Sequence, residues 1–436
     1  EIDKIIIPCA KFQSPSKRVP EVLDSWVEAG SASFGERHYP FNKEQKLNEF
    51  FPPDFIVEYT GQIRAWFYVL HVITNSLLGS IAFKNAAVTG VILGTDGRKM
   101  SKNFGNYPDP KEMLQKYGGD ALRLYLLGSP VMNGEDIRIS EEEYKMQVRG
   151  FLLILWNVYS FFVIYANLNN WQLKKTEKSE NILDLWIFAR LEELTSTVTL
   201  GLENYATVTV VSKLKLFVED LSTWYIRRSR DRMTDEFFST CYEVLVTLSK
   251  LLAPFTPFIA EEIYKNLTNK ESVHLESWPA TVKNSTMHAK IIKEMQQIRK
   301  LVEEVHAERK IKGIKLRQPL GALYINGQKW MTEYEDLLKS ELNIKKIFHH
   351  IPIGFIKNIK NGFYLDPTLT SQLITEGKAR DLIRDIQDAR KAVGCRLDEL
   401  ATVELPSWPS DFENYIKTQT LTTKLVKGEN LKIIRV

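Results

Sequence analysis

The sequence predicts an α/β segment, then a mostly α-helical stretch, then a small mixed α/β domain. Three observations carry this. In the first third, strand-like runs (Ile5-Ile6-Ile7, the stretch Phe51 to Glu58, and Ala86-Ala87-Val88-Thr89-Gly90-Val91-Ile92-Leu93) alternate with helical periods. From about residue 140 to 315, apolar residues recur mostly at three- and four-residue spacing. Beyond that, short strands such as Leu323-Tyr324-Ile325 return between helices. The expected divisions are 1–139, a connecting helix and linker over 140–182, a helical domain over 183–318 and a terminal α/β domain over 319–436.

The elements follow in order. Ile5-Ile6-Ile7 leads into a Pro/Ser/Lys-rich turn, and Val22-Leu23-Asp24-Ser25-Trp26-Val27-Glu28-Ala29-Gly30-Ser31 reads as an acidic loop around a buried tryptophan. After the strand ending at Glu58 come Tyr59-Thr60-Gly61-Gln62-Ile63-Arg64-Ala65-Trp66. Trp66, Phe67, Leu70, Ile73 and Leu77 then recur at helical spacing. A helix starting just after polar residues at a strand end is where an open α/β fold forms a substrate pocket. Core packing for Trp66 and capping for Glu58 suit the same pattern equally well.

The run Ala86 to Leu93 feeds a polar segment, Asp96-Gly97-Arg98-Lys99-Met100-Ser101-Lys102-Asn103, followed by Phe104-Gly105-Asn106-Tyr107-Pro108-Asp109-Pro110. Taken alone, two lysines beside a glycine describe a solvated turn. Held on a mobile loop, they can also meet the charge that develops on a departing pyrophosphate. Lys111 to Tyr117 should form a short helix, ended by Gly118-Gly119. Asp120 is expected to cap the next helix, from Ala121 to Leu127.

Glu141 opens a long helix, and a polar break from Leu168 to Asn181 follows it. Val211, Leu214, Val218, Leu221 and Tyr225 then mark one helix face, and Arg227, Arg228, Arg230 and Arg232 follow on the same helix. Trp224 and Tyr225 are expected to offer flat faces to an unstacked base. A charged helix paired with Asp231, Asp235 and Glu236 is the alternative. Lastly, a helix from Glu376 to Val393 carries Lys378, Arg380, Arg384, Arg390 and Lys391, a basic surface suited to phosphate. No internal repeat is evident.

The bulk properties narrow the class. With 436 residues, 44% hydrophobic and 26% charged, the chain is long enough for two to four folded domains. A net charge of +4 leaves any nucleic-acid contact to local clusters. Cys9, Cys241 and Cys395 stand too far apart for a local zinc site or a disulfide framework, so no protein-bound zinc is expected. The apolar run near Phe151 to Ala166 is too short to span a bilayer, and a cytoplasmic protein is the default reading.

Several of these words resemble one family. Lys99-Met100-Ser101-Lys102 resembles the KMSKS loop of class I aminoacyl-tRNA synthetases, with Asn103 where that family has serine. Glu58 to Phe67 is similar to its Glu-Gly-x-Asp-Gln-x-Arg-Gly-Trp-Phe stretch, with Gly61 in place of the aspartate and Tyr59 and Ala65 in place of the two glycines. Tyr117-Gly118-Gly119-Asp120-Ala121-Leu122-Arg123-Leu124-Tyr125 is a further match. Asp220 to Arg232, Leu252 to Tyr264 and Ser272 to Pro279 look like the isoleucyl-type anticodon-binding domain.

The resemblance implies the second half of a Rossmann-like catalytic domain, joined to a helical anticodon-binding domain and a small α/β domain. It implies ATP with Mg2+, isoleucine and tRNA(Ile) as reactants, and isoleucyl-adenylate as intermediate. It gives Lys99 and Lys102 catalytic roles, and Lys99, Met100, Ser101 and Lys102 contact with ATP. It puts Glu58, Gln62 and Trp66 around the adenylate, and Trp224, Arg227, Arg228, Arg230 and Arg232 against tRNA. No His-x-Gly-His occurs in the chain. The chain therefore reads as the C-terminal part of a longer enzyme, or as one that needs a separate N-terminal half. A non-catalytic tRNA-binding fragment and a valyl or leucyl sibling are the alternatives.

Overall fold

The computed structural model describes residues 4–435 with the exception of 13, 22–24, 102, 175–178, 282–285, 327–331, 333 and 355–361. Lys102, the start of the Val22 segment, and Lys175 and Lys178 of the polar break lie outside the described residues.

The chain forms two compact units: Glu1–Leu152 with Thr197–Lys215 and Leu252–Ile259, and Leu153–Ser196 with Leu216–Leu251 and Ala260–Val436. The first opens with an antiparallel pair, β1 (Ile6–Pro8) and β2 (Pro15–Lys17), then α1 (Trp26–Gly35). β3 (Ile56–Tyr59), a 3-10 turn over Thr60–Arg64 and α2 (Trp66–Leu78) follow. β4 (Ala86–Thr89) returns parallel to β3, setting Glu58 opposite Val88. Ile56, Phe67, Leu70 and Ala82 form the small core beneath.

The expected acidic loop at Trp26 is instead helix α1, and Trp26 is 38% exposed. α1 packs on α2 because Gly30 has no side chain: a Cβ there would sit 2.7 Å from Ile73 and 2.8 Å from Val69.

The run from Ala86 to Leu93 is two strands, not one. Gly90 breaks it, because the Glu135 carbonyl comes so close that any Cβ would overlap it. β5 (Ile92–Leu93) then joins a different partner, β6 (Ile137–Arg138), in parallel.

Between them lies α3 (Pro110–Leu127), capped by Asp109, whose carboxylate accepts from Lys111 N. The break expected at Gly118 is present, at φ +79°, but Asp120 caps a different helix. Its carboxylate accepts from Phe258 N at 3.1 Å and Ile259 N at 2.8 Å, at the start of a helix far along the chain. Arg123 locks the same junction by donating to the Pro254 and Phe255 carbonyls. Burial pushes the Asp120 carboxyl up, against the pull of those two N–H groups.

α4 (Glu141–Gln147) runs through a π-helical turn, Val148–Leu152, into α5 (Leu153–Leu168). By length and composition alone, this 28-residue stretch is long and apolar enough to cross a membrane, contrary to the shorter run expected. Leu155, Val158, Tyr159, Phe162 and Ala166 are buried against protein, while Leu153, Trp156, Ile164 and Leu168 are exposed.

The helices continue with α6 (Ile182–Glu203), α7 (Thr207–Asp220), a second π-helical turn (Leu221–Ile226), α8 (Arg227–Ser229) and α9 (Asp235–Leu252). α10 (Pro257–Thr268) and α11 (Thr286–Ile311) complete the series.

The terminal part holds two versions of one motif. In the first, β7 (Leu320–Ile325), α12 (Glu335–Leu342) and a parallel β8 (Ile344–Phe348) are joined by antiparallel β9 (Phe363–Leu365). After α13 (Ser371–Ala392), the motif recurs. β10 (Ala401–Leu405), α14 (Glu413–Thr420) and parallel β11 (Thr422–Lys427) are joined by antiparallel β12 (Lys432–Arg435). Both short helices end on a residue with positive φ, Asn343 at 53° and Leu421 at 50°. In each, that residue's carbonyl accepts from the first residue of the central strand, Leu320 N or Ala401 N. The chain therefore does contain a structural repeat, which the sequence reading did not find.

Candidate active site and nucleic-acid interface

In the first unit, the lysine segment leaves β5 at Gly94 and folds back, so that Leu93 and Lys99 form an antiparallel bridge. Gly97 turns the chain at φ +79°, and the Arg138 guanidinium lies where a side chain at 97 would project.

One buried side chain closes the loop. Asn106 donates to Asp96 Oδ1 at 2.9 Å and to the Lys99 carbonyl at 3.3 Å, and its Oδ1 accepts from Ser101 N at 3.0 Å. Its main-chain carbonyl accepts from Thr95 N at 2.7 Å. Asp96 is held down to about 2, first by the Arg98 N–H and then by the Asn106 amide. Arg98 pairs with Asp96 and lies 4.6 Å from the Phe104 ring centroid. The charges of the turn thus satisfy one another, while Lys99 and Met100 face solvent and Ser101 is half-buried. An ammonium exposed on a braced loop is suited to meet phosphate charge.

The second group of expected residues gathers at the start of α2. The Gln62 side-chain oxygen accepts from Trp66 N at 3.1 Å, capping the helix and leaving its NH2 as a donor. Trp66 Nε1 donates to the Ala29 carbonyl of α1 at 2.9 Å. Two sequence words 37 residues apart are thereby joined. Glu58 stands apart at the end of β3, accepting from Tyr59 N at 3.3 Å.

In the second unit, the arginine helix departs from expectation. Trp224 and Tyr225 are buried, at 8% and 0% exposure, and their faces meet protein. The Arg299 guanidinium lies 5.3 Å from the Trp224 centroid, and Tyr225 stacks on Phe237. Arg232 forks onto buried Asp184 at 2.6 and 2.7 Å, and the Tyr225 hydroxyl donates to the same carboxylate. Arg227 and Arg228 each pair with Glu341 of α12 at 2.7 Å. Burial pushes the Glu341 carboxyl up, but His306, Arg227 and Arg228 outweigh it and hold it at about 2. Neither Trp224 nor Tyr225 is an open platform for a base, and the partners of Arg227, Arg228 and Arg232 are Glu341 and Asp184 rather than the neighbouring acids. Arg230 is exposed, with Phe161 at 6.0 Å.

The comparisons bear on both units. Residues 3–140 match the family described as tRNA synthetases class I (I, L, M and V), and residues 184–324 match the anticodon-binding domain of tRNA ligase. The chain belongs to the class I aminoacyl-tRNA synthetases. An isoleucine–tRNA ligase of Protochlamydia amoebophila is 40% identical over 76% of this chain and 33% of its own length. One from Chlamydia trachomatis is 41% identical over 76% and 33%. A third, from Nocardia farcinica, is 32% identical over 95% and 47%. This chain thus spans between a third and a half of the length of the curated relatives it matches.

Two solved synthetases share the fold. The Agrobacterium radiobacter K84 LeuRS, in a ternary complex with tRNA and LeuAMS, superposes with a TM-score of 0.53 at 19% identity over 66% of this chain and 36% of its own. Mycobacterium tuberculosis methionyl-tRNA synthetase, in complex with methionyl-adenylate, gives 0.50 at 20% over 62% and 57%.

Sequence reasoning about this synthetase chain missed Asn106. The available signal was a Gly-Asn pair just after the lysines, since a short amide readily bonds nearby backbone in a turn. Among the described residues no group of three or more His, Cys, Asp or Glu stands together to hold a metal ion.

Proposed function

We propose that this chain supplies the lysine loop and the tRNA-reading part of an isoleucine–tRNA ligase. The observation that carries the reading is the 32–41% identity to isoleucine–tRNA ligases across 76–95% of the chain. In this reading ATP and isoleucine give isoleucyl-adenylate and pyrophosphate, and tRNA(Ile) then takes the acyl group.

Lys99 and Lys102 stabilise the leaving pyrophosphate, with Met100 and Ser101 lining the ATP side. The Gln62 amide and Trp66 border the adenylate, with Glu58 at the strand end. Mg2+ enters bound to the triphosphate rather than to a protein site. Arg230 and the part-exposed Arg227 contact phosphate, while Trp224 and Arg232 hold the helix that presents them. The work divides over 1–139, 140–182, 183–318 and 319–436, and the location is cytoplasmic.

A second reading, a tRNA-binding fragment without its own activity, is favoured by the absence of His-x-Gly-His from the sequence. Pyrophosphate exchange into ATP by the purified chain, with isoleucine, valine and leucine in parallel, separates the two. Exchange driven by isoleucine supports an active ligase. Silence with tRNA binding retained supports the fragment, active only with a separately supplied N-terminal half. Exchange driven by valine or leucine contradicts the isoleucine assignment.

A further inference from the structure

The cleft between α13 and α14 gathers charged groups that the proposed reaction does not use. Arg317, Arg380, Arg384, Gln387, Tyr415 and Gln419 line about 440 Å3. That falls within the ~300–1,000 Å3 of small-molecule sites and is more than one phosphate needs.

The three arginines are held differently. Arg380 is fixed: it bonds Glu376 at 2.9 Å, and its guanidinium lies 5.9 Å from the Tyr415 ring centroid. Glu376 is 8% exposed at its side chain and also takes Lys345. Among the described residues, the charged partners of Arg317 and Arg384 are exposed, Asp381 at 3.5 Å and Asp388 at 3.3 Å, with side chains 42–68% exposed. Exposed pairs of this kind are worth ~0–1 kcal/mol, so a phosphate that accepts from a guanidinium fork displaces them readily.

Across the two helices, Gln387 of α13 donates to the main-chain carbonyl of Gln419 on α14 at 3.1 Å. The Gln419 carboxamide, on an exposed residue, offers both a donor and an acceptor, as the edge of a base requires. Ile383 lies at the cleft and belongs to the apolar core beneath, with Tyr415 packed against that core.

We propose that this cleft binds one unpaired nucleotide of an RNA strand. Its phosphate sits on Arg317 and Arg384, its base lies along the Arg380–Tyr415 wall, and Gln419 bonds the base edge. Guanidinium planes and aromatic rings are the usual supports of an unstacked base. A bare anion would leave the amides and the apolar wall unused. The inference rests on the reading that this chain binds tRNA.

The test is fluorescence anisotropy of the full chain with a labelled tRNA(Ile) transcript and a labelled single-stranded RNA heptamer, over a range of salt. R317Q with R384Q should weaken binding roughly tenfold and make the log–log salt slope shallower by about 1. Q419A should weaken binding about threefold with the slope kept, because it removes a base contact and no charge. K424Q and K427Q, exposed on β11 and outside the cleft, should change little.

If the wild type binds tRNA and the cleft variants bind it equally well, this proposal fails alone. It also fails if K424Q and K427Q weaken binding as much, or if inorganic phosphate competes as well as a mononucleotide. A wild type that binds no tRNA overturns both this proposal and the reading beneath it.

Discussion

The Asn106 carboxamide donates to Asp96 across ten residues of chain at 2.9 Å, and its side-chain Oδ1 takes the Ser101 N–H. The lysine loop is therefore closed by one buried carboxamide. Asn106→Ala removes three side-chain bonds and should free the loop locally by about 1–3 kcal/mol. Tryptic cleavage after Arg98 or Lys99 should accelerate roughly tenfold or more, with the global melting temperature little changed. An unchanged cleavage rate would show that the loop does not depend on this residue.

Asp184 is fully buried beneath Arg232, Tyr225 and Ser179. Removing one member of such a set leaves the others desolvated and unpaired. Asp184→Ala is predicted to cost about 3–5 kcal/mol by urea denaturation. A loss below about 1 kcal/mol would mean that the cluster is solvated.

Glu341 makes the second unit sensitive to acid. Its folded pKa, about 2, lies below the ordinary 4.5. The stability it contributes is complete above the ordinary value and is lost as pH falls from there through 2. Glu341→Gln should cost about 1–3 kcal/mol near neutrality, and the gap to wild type should close as pH is lowered toward 2. Urea midpoints measured across that range check this, and a gap independent of pH would contradict it.

Arg309 is fully buried and has four carbonyls within reach of its guanidinium: Lys315 and Gln318 before β7, and Leu342 and Asn343 at the end of α12. Burial pushes its pKa down to about 10, so it stays charged. The Lys315 and Asn343 carbonyls also accept main-chain N–H groups, from Gln318 and Leu320, so Arg309→Met should strip their donor chiefly from the Gln318 and Leu342 carbonyls and cost about 3 kcal/mol, read from thermal melts. A neutral outcome would mean that water replaces the guanidinium.

The two copies of the terminal motif differ at one informative position. Asn343 suits its left-handed backbone and uses its amide on the Arg317 carbonyl at 2.7 Å, whereas Leu421 adopts the same conformation without that benefit. Leu421→Asn should stabilise the chain by about 0.5–1 kcal/mol, and Asn343→Leu should destabilise it by about 1–2 kcal/mol. Melting curves of the pair decide this, and a destabilised Leu421→Asn would contradict it.

What could be read in the sequence was what repeats locally. Helix α2, the long helix opened by Glu141, the Val211–Tyr225 face, α13 and the strand near Leu323 were visible because apolar period and flanking turns mark them, whereas the short helix α12 was not. Long-range partners were not visible. Asp120 caps a helix 138 residues away, and Glu341 neutralises arginines 113 and 114 positions earlier, where nearby acids looked sufficient. Trp224 beside arginines suggested an exposed stacking surface, and nothing in the local pattern says that Arg299 covers it. The motif repeat escaped because its shared features are backbone conformations, carried by Asn in one copy and Leu in the other.

The central claim, that this synthetase chain reads the isoleucine tRNA, is tested most directly by competition. Labelled tRNA(Ile) transcript bound to the purified chain is displaced with unlabelled tRNA(Ile), tRNA(Val) and tRNA(Leu) transcripts in one buffer. tRNA(Ile) should compete about tenfold better than the other two, a difference of ~1.4 kcal/mol. Equal competition by all three, or a preference for tRNA(Val) or tRNA(Leu), would contradict it.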